Sequence, residues 1–150
     1  MRIALFQPDI AGNVGTILRT AACFGIAVDI IEPCGFPFGA RALQRAGMDY
    51  AAQADLMRHA NWDSYCMANT GKGRLVLFTT AGATPLSAFT FHPDDRLLLG
   101  SESAGVPPQI HAAADARVVI PLLPGFRSLN VAVTAGIAIA EALRQTKGFA

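Results

Sequence analysis

The chain has 150 residues, 52% of them hydrophobic and 15% charged, with a formal net charge of +1. That is enough to bury one core and fits a single domain over residues 1–150, and the low charge points to further surface buried by self-association. Three cysteines with neither CxxC spacing nor a histidine at ligand spacing exclude a zinc site and a disulfide framework, leaving a reducing cytoplasm as the expected location.

In chain order, the first expected element is the strand IALF (3–6). Its apolar run stops at Gln7, too short for a signal peptide or a membrane anchor. GNVGTILRT (12–20) then opens a helix expected over 13–25, in which Val14, Ile17, Leu18, Ala21 and Ala22 recur at the spacing of one buried face. Arg19 lies off that face and leans back over Gly15, which has no side chain, so Asn13 and Arg19 can form a phosphate-binding corner near the helix start. The alternative is a solvated Arg19 with Asn13 as an ordinary N-cap.

Next come a strand AVDII (27–31), a basic segment ARALQRAG (40–47) containing Arg41 and Arg45, and a helix from near Asn61. Arginine supplies ten of the twelve basic residues, beside Lys72 and Lys147. Its fork suits phosphate, although a genomic base-composition bias accounts for the excess equally well. Strands RLVLFTT (74–80), LLLG (97–100) and VVIP (118–121) follow, closed by a helix over 129–145. Strands alternating with helices predict an α/β fold with a mainly parallel sheet flanked by helices.

Ligands of such sheets bind beyond the carboxyl ends of the strands. Three loops occupy those positions: TTAGATP after 74–80, GSESAGVPP after 97–100, and PLLPGFRSLN after 118–121. In the second, Gly100 ends the strand, Gly105 permits an unusual backbone angle, and Pro107 and Pro108 start a short helix. Glu102 is its one acidic residue and either faces a ligand or caps that helix. In the third, Ser128 or Asn130 is placed to cap the terminal helix. That helix is apolar nearly all round and is expected to be buried. A loop held between a core strand and a core helix is rigid, as a pre-formed cofactor pocket requires.

Neither a G-x-G-x-x-G after the first strand nor a G-x-x-x-x-G-K-[ST] occurs, which argues against a dinucleotide-binding Rossmann domain and a P-loop NTPase. His59, His92 and His111 accompany no nucleophile pattern and read as surface residues. Trp62 and the phenylalanines read as core or interface.

Taken together, NVGTILRT from Asn13, LLLGSESAGVP from Leu97 and IPLLPGFRSLNVAVTAGIA from Ile120 resemble, in this order, the three signature motifs of the SpoU branch of the SPOUT RNA methyltransferases. The segment IIEPCGFPFGARALQRAGMDY (30–50) is similar to that of the minimal members acting on the tRNA wobble position. The resemblance implies a sheet whose C-terminal segment forms a trefoil knot, with loops 78–82, 100–105 and 120–130 wrapping S-adenosylmethionine. Phe78, Thr79, Gly100, Glu102, Ile120, Leu122, Ser128, Leu129 and Asn130 would contact or flank that cofactor. It further implies a cytoplasmic homodimer, without metal or membrane attachment, that methylates the ribose 2′-hydroxyl of nucleotide 34 in the tRNA anticodon region.

Asn13, Arg19, Arg41 and Arg45 would meet the RNA. Arg19 would be the catalytic residue, holding phosphate and stabilising a developing alkoxide, since a guanidinium stays protonated. A ribosomal RNA substrate and a non-catalytic RNA-binding module are the alternatives. The chain departs from the family pattern at Ala132 and Val133, where many relatives carry a hydroxyl or amide, and at Ala140, where the wobble enzymes often carry Tyr.

Overall fold

The computed structural model describes residues 1–39, 54–82 and 84–149, so Arg41 and Arg45 lie outside the described residues. Seven strands form one sheet: β1 (Arg2–Phe6), β2 (Ala27–Ile31), β3 (Leu56–His59), β4 (Leu75–Phe78), β5 (Thr84–Pro85), β6 (Arg96–Leu99) and β7 (Ala116–Val119). Their order is β3-β2-β1-β6-β4-β7-β5, and every pairing is parallel. Four helices are described: α1 (Ala11–Cys23), α2 (Trp62–Ala68), α3 (Pro108–Ala113) and α4 (Val131–Thr146).

The period-two alternation of the strands supplies both faces of the sheet. Ile3, Leu5, Val28, Ile30, Val76, Phe78, Leu97, Leu99 and Val118 face one side, where α1 and α4 deliver Val14, Ile17, Leu18, Ala135, Ile139 and Leu143. Ala4, Phe6, Ile31, Leu75, Leu77 and Leu98 face the other, against Tyr65 of α2 and Ile110 of α3. Both faces are thus apolar and covered, which is why the strands read as continuous hydrophobic runs.

Several boundaries and environments differ from the sequence expectations. α1 begins at Ala11 rather than 13, with Ile10 as an N-cap that offers no side-chain bond, so Asn13 is not the cap. β7 ends at Val119, two residues before Pro121. His59 is buried: its Nε2 lies 2.9 Å from Asp29 Oδ1, and the Arg2 fork reaches the same carboxylate at 2.8 and 3.1 Å. A buried carboxylate needs such partners, and one of them here is a histidine. α4 buries Ala132, Ala135, Ala138, Ile139, Ala142 and Leu143 but leaves Val133 and Ala140 exposed, so one of its faces is uncovered within the chain. His92, Asp94 and Asp95 bring ligand atoms within 4.8 Å of one another, but both Asp95 carboxylate oxygens are already bonded by Arg74. No helix among the described residues is long and apolar enough to cross a membrane.

The strand register positions the site. Leu5 pairs with Leu99, Leu99 with Phe78, and Phe78 with Val118, so β1, β6, β4 and β7 all reach their carboxyl ends in one row. The loops that leave this row must converge.

Candidate functional site

The converging loops enclose a cleft of about 640 Å³, within the usual range for a small-molecule site. Its walls come from α1 (Asn13), the end of β4 and its loop (Phe78 to Ala81), the loop after β6 (Gly100 to Val106), and the loop after β7 (Ile120, Leu122, Ser128 to Asn130). Phe78, Thr79, Gly100, Glu102, Ile120, Leu122, Ser128, Leu129 and Asn130 therefore share one cavity, as does Asn13.

A chain of hydrogen bonds ties the three sequence motifs together. Glu102 Oε1 accepts from Asn13 Nδ2 at 2.8 Å, and Oε2 accepts from the Asp9 backbone N–H at 2.7 Å. Asn13 Oδ1 accepts from Asn130 Nδ2 at 3.0 Å, and Asn130 Oδ1 accepts from the N–H groups of Ala132 and Val133 at 2.8 and 3.3 Å. Glu102 thus links α1 to the β6 loop instead of capping α3, whose N-cap is Pro107 without a side-chain bond. Asn130, rather than Ser128, caps α4. Both ends of the Asn13 amide serve this internal linkage.

The Asn130→Ala variant should lose both the cap and the bond to Asn13. The expected destabilisation is about 1–2 kcal/mol, or roughly 3–6 °C in Tm, read by thermal denaturation.

Asp9 completes the clasp from the other side: its Oδ2 accepts from Ser103 Oγ at 2.6 Å and from Ser103 N–H at 2.9 Å. The hydroxyl and then the amide of Ser103 hold this carboxyl below its ordinary 3.8. A lowered native value means that the clasp is fully formed above 3.8 and is lost as pH falls through the lowered value. A Tm-against-pH series should therefore show an acid limb below about pH 4 that is shallower in Asp9→Asn.

The β6 loop is folded onto itself. Ser101 and Gly105 exchange backbone bonds, at 3.0 Å from Ser101 N–H and 2.9 Å from Gly105 N–H. Gly105 takes φ +65°, and a Cβ on Gly100 would stand 2.5 Å from the Gly105 carbonyl carbon. Gly100 is thus required by close backbone approach, and Gly105 by a left-handed turn.

The lining is mixed in character. Leu77, Phe78, Leu99, Val118 and Ile120 present apolar surface, while Thr79, Ser101 and Ser128 bring hydroxyls to the same cavity. Glu102 and His111 are the ionisable residues of the wall. His111, which reads from the sequence as a surface residue, is half-buried on α3 and lines the cleft, because the sequence signals the start of that helix but not which of its faces meets the cleft. Arg19 is exposed on α1 and is not part of the wall. Ala132 is buried against the core beside the cap, where a hydroxyl would also have to find a partner.

Residues 1–140 match the family described as SpoU rRNA Methylase. The chain is 54% identical over 150 residues to a tRNA (cytidine(34)-2'-O)-methyltransferase of Beijerinckia indica subsp. indica, covering 99% of this chain and 93% of that protein. It is 50% identical to one of Ancylobacter novellus, covering 100% and 96%. A solved structure described as giving structural insights into the 2-OH methylation of C/U34 on tRNA superposes with a TM-score of 0.92 at 37% identity, covering 98% of this chain and 96% of that one. An AdoMet-bound rRNA methyltransferase from Sinorhizobium meliloti superposes with a TM-score of 0.85 at 29% identity, covering 95% and 55%.

Proposed function

The chain belongs to the SpoU methylase family, and we propose on that footing that it methylates the ribose 2′-hydroxyl of nucleotide 34, a cytidine or uridine, in tRNA. The observation that carries this reading is the shared cleft at which Asn13 of α1, Glu102 and Asn130 lock the three motif segments together. When bound there, S-adenosylmethionine supplies an electrophilic methyl on a sulfonium. Leu77, Phe78, Leu99 and Ile120 would hold its adenine, and the Thr79, Ser101 and Ser128 hydroxyls are available to its polar ends.

The chain's own groups then have to orient a ribose hydroxyl and govern its proton. Each oxygen of Glu102 accepts a bond from the chain, which gives this carboxylate the part of holding α1 and the Asp9 segment against the β6 loop. A guanidinium is no base, so the part of Arg19 is to grip the phosphate beside the target ribose and stabilise the oxygen as charge develops, while the hydroxyl proton passes to water. Arg41 and Arg45 are assigned to the RNA backbone on sequence grounds alone.

Arg19 sits outside the cleft wall of its own chain, which supports a homodimer in which Arg19 of one copy serves the cleft of the other. The exposed apolar residues Phe24 at the end of α1, Val133 on α4 and Phe149 beyond it, with Phe24 and Phe149 in edge contact at a ring-centroid distance of 5.8 Å, offer such a pairing surface. A trefoil knot within this single domain is supported by the sheet order: β7 lies between β4 and β5, which are joined only by residues 79–83. A cytoplasmic location follows from a tRNA substrate.

The deciding experiment is incubation of the purified protein with S-adenosylmethionine and unmodified tRNA or ribosomal RNA, with new 2′-O-methyl groups mapped by nuclease digestion and mass spectrometry. A methyl on nucleotide 34 is expected. Methylation confined to ribosomal RNA would replace the substrate, and cofactor binding without transfer would reduce the protein to a binding module.

A further inference from the structure

The turn that closes the β7 loop exposes two large apolar side chains that no part of the cofactor site uses. Leu123 is 74% and Phe126 71% exposed. Between them Pro124 and Gly125 form a tight turn: the Phe126 N–H donates to the Leu123 carbonyl at 3.3 Å, and Gly125 has φ +94°. Proline then glycine with positive φ is the pattern of a type II turn, a stiff connection that fixes where its flanking side chains stand. Leu122 and Ser128, on either side of this turn in sequence, both line the cleft, so the turn stands at the cleft's rim. Arg127 follows immediately and is exposed as well.

We propose that Phe126 is a positioning residue for the RNA: its ring stacks on a base next to the target nucleotide while Arg127 meets the adjoining phosphate. This rests on the methyltransferase reading above. The turn stands at the rim of the cleft that would hold the methyl donor, so a target ribose entering on this side brings its neighbouring bases to the ring. An unstacked base offers a flat π-face to an aromatic ring, whatever its identity. The turn fixes the backbone that carries the ring, and a phenylalanine has only two side-chain torsions to order on binding. Phe126 and Arg127, adjacent and both exposed, offer a stacking face and a cation side by side, which matches a strand in which every base is followed by a phosphate.

The test uses an unmodified anticodon stem-loop carrying 2-aminopurine at the nucleotide after position 34, bound to the full-length protein and to its Phe126→Ala, Phe126→Leu and Phe126→Trp variants. Stacking should quench the probe in the wild type and in Phe126→Trp, but not in Phe126→Ala or Phe126→Leu. Affinity for the stem-loop should fall roughly ten-fold in the Ala and Leu variants, with S-adenosylmethionine affinity and molar mass in solution unchanged. Arg127→Ala should lower the salt dependence of binding without abolishing the quench.

Full affinity and quenching in Phe126→Leu would overturn stacking. A fall in molar mass in the variants would show that a second copy covers the ring, and a loss of cofactor affinity would place Phe126 in the pocket wall; either overturns the proposal. If the wild type quenches the probe yet leaves nucleotide 34 unmethylated, the substrate assignment fails while the stacking role stands.

Discussion

The Gly100→Ala variant is expected to lose S-adenosylmethionine binding by about 100-fold or more and to melt several degrees below the wild type. The new methyl would meet three backbone atoms of Gly105, its carbonyl carbon at 2.5 Å, its Cα at 2.7 Å and its oxygen at 2.8 Å. Backbone cannot swing aside as a side chain would, so the paired bonds between Ser101 and Gly105 must open. Overpacking of this kind costs about 1–3 kcal/mol, and losing the two bonds adds roughly 1 kcal/mol each. The loop that opens is the one carrying Glu102, so Asn13 and Asn130 lose their alignment too.

Gly105→Ala is the informative contrast. A Cβ there meets nothing within 4 Å and is disfavoured only by φ +65°, a penalty of about 1–2 kcal/mol. Gly105→Asn, which tolerates that angle better, should bind cofactor nearly as the wild type does. Calorimetric titration of the three variants checks the ranking, and equal affinity in Gly100→Ala and Gly105→Asn would refute it.

The Arg19→Ala variant should show the opposite pattern, with kcat reduced about 100- to 1,000-fold and cofactor affinity unchanged, because Arg19 does not line the cleft. Arg19→Lys keeps the charge but not the fork and should recover little of the loss. Mixing Arg19→Ala with Gly100→Ala protein tests where the arginine acts. If it serves the other copy, random re-pairing places one intact site on each mixed dimer, and about a quarter of wild-type activity should return. If it serves its own copy, no mixed dimer has an intact site and activity stays absent.

The parallel sheet and the loops that build the cleft are legible in the sequence, for identifiable reasons. The strands at 3–6, 27–31, 74–80 and 97–100 are apolar runs bounded by Gly, Pro or polar residues, and the three site loops follow from the rule that ligands sit beyond the carboxyl ends of parallel strands. Gly100 and Gly105 announced an unusual loop. What sequence could not reveal depends on contacts distant along the chain. His59 looked like a surface histidine because its partner Asp29 lies 30 residues away. β3, reading LMRH with Met57 and Arg58 exposed, carries little apolar signal, and β5 is two residues long. The bond from Asn13 to Glu102 spans 89 residues and that from Asn130 to Asn13 spans 117. No local pattern encodes such distances, so the residues of the linkage could be named while its wiring could not. α1 was placed two residues late because its N-cap, Ile10, lacks the side-chain signal that marks most helix starts.

The strand order also constrains how a nascent chain completes itself. β1, β2, β3, β4 and β6 pair among themselves, so that part of the sheet can assemble while synthesis continues. β5 has no such option: it is hydrogen-bonded to β7 alone, and β7 comes about thirty residues later in the chain. Residues 84 and 85 therefore wait undocked until Val119 has left the ribosome, at synthesis rates of about 5–20 residues per second. The cleft wall contributed by residues 120–130 forms in the same last interval. The growing polypeptide is thus without its cofactor pocket until its sheet is closed, so the strands that make most of the core precede in synthesis the segment that completes the site.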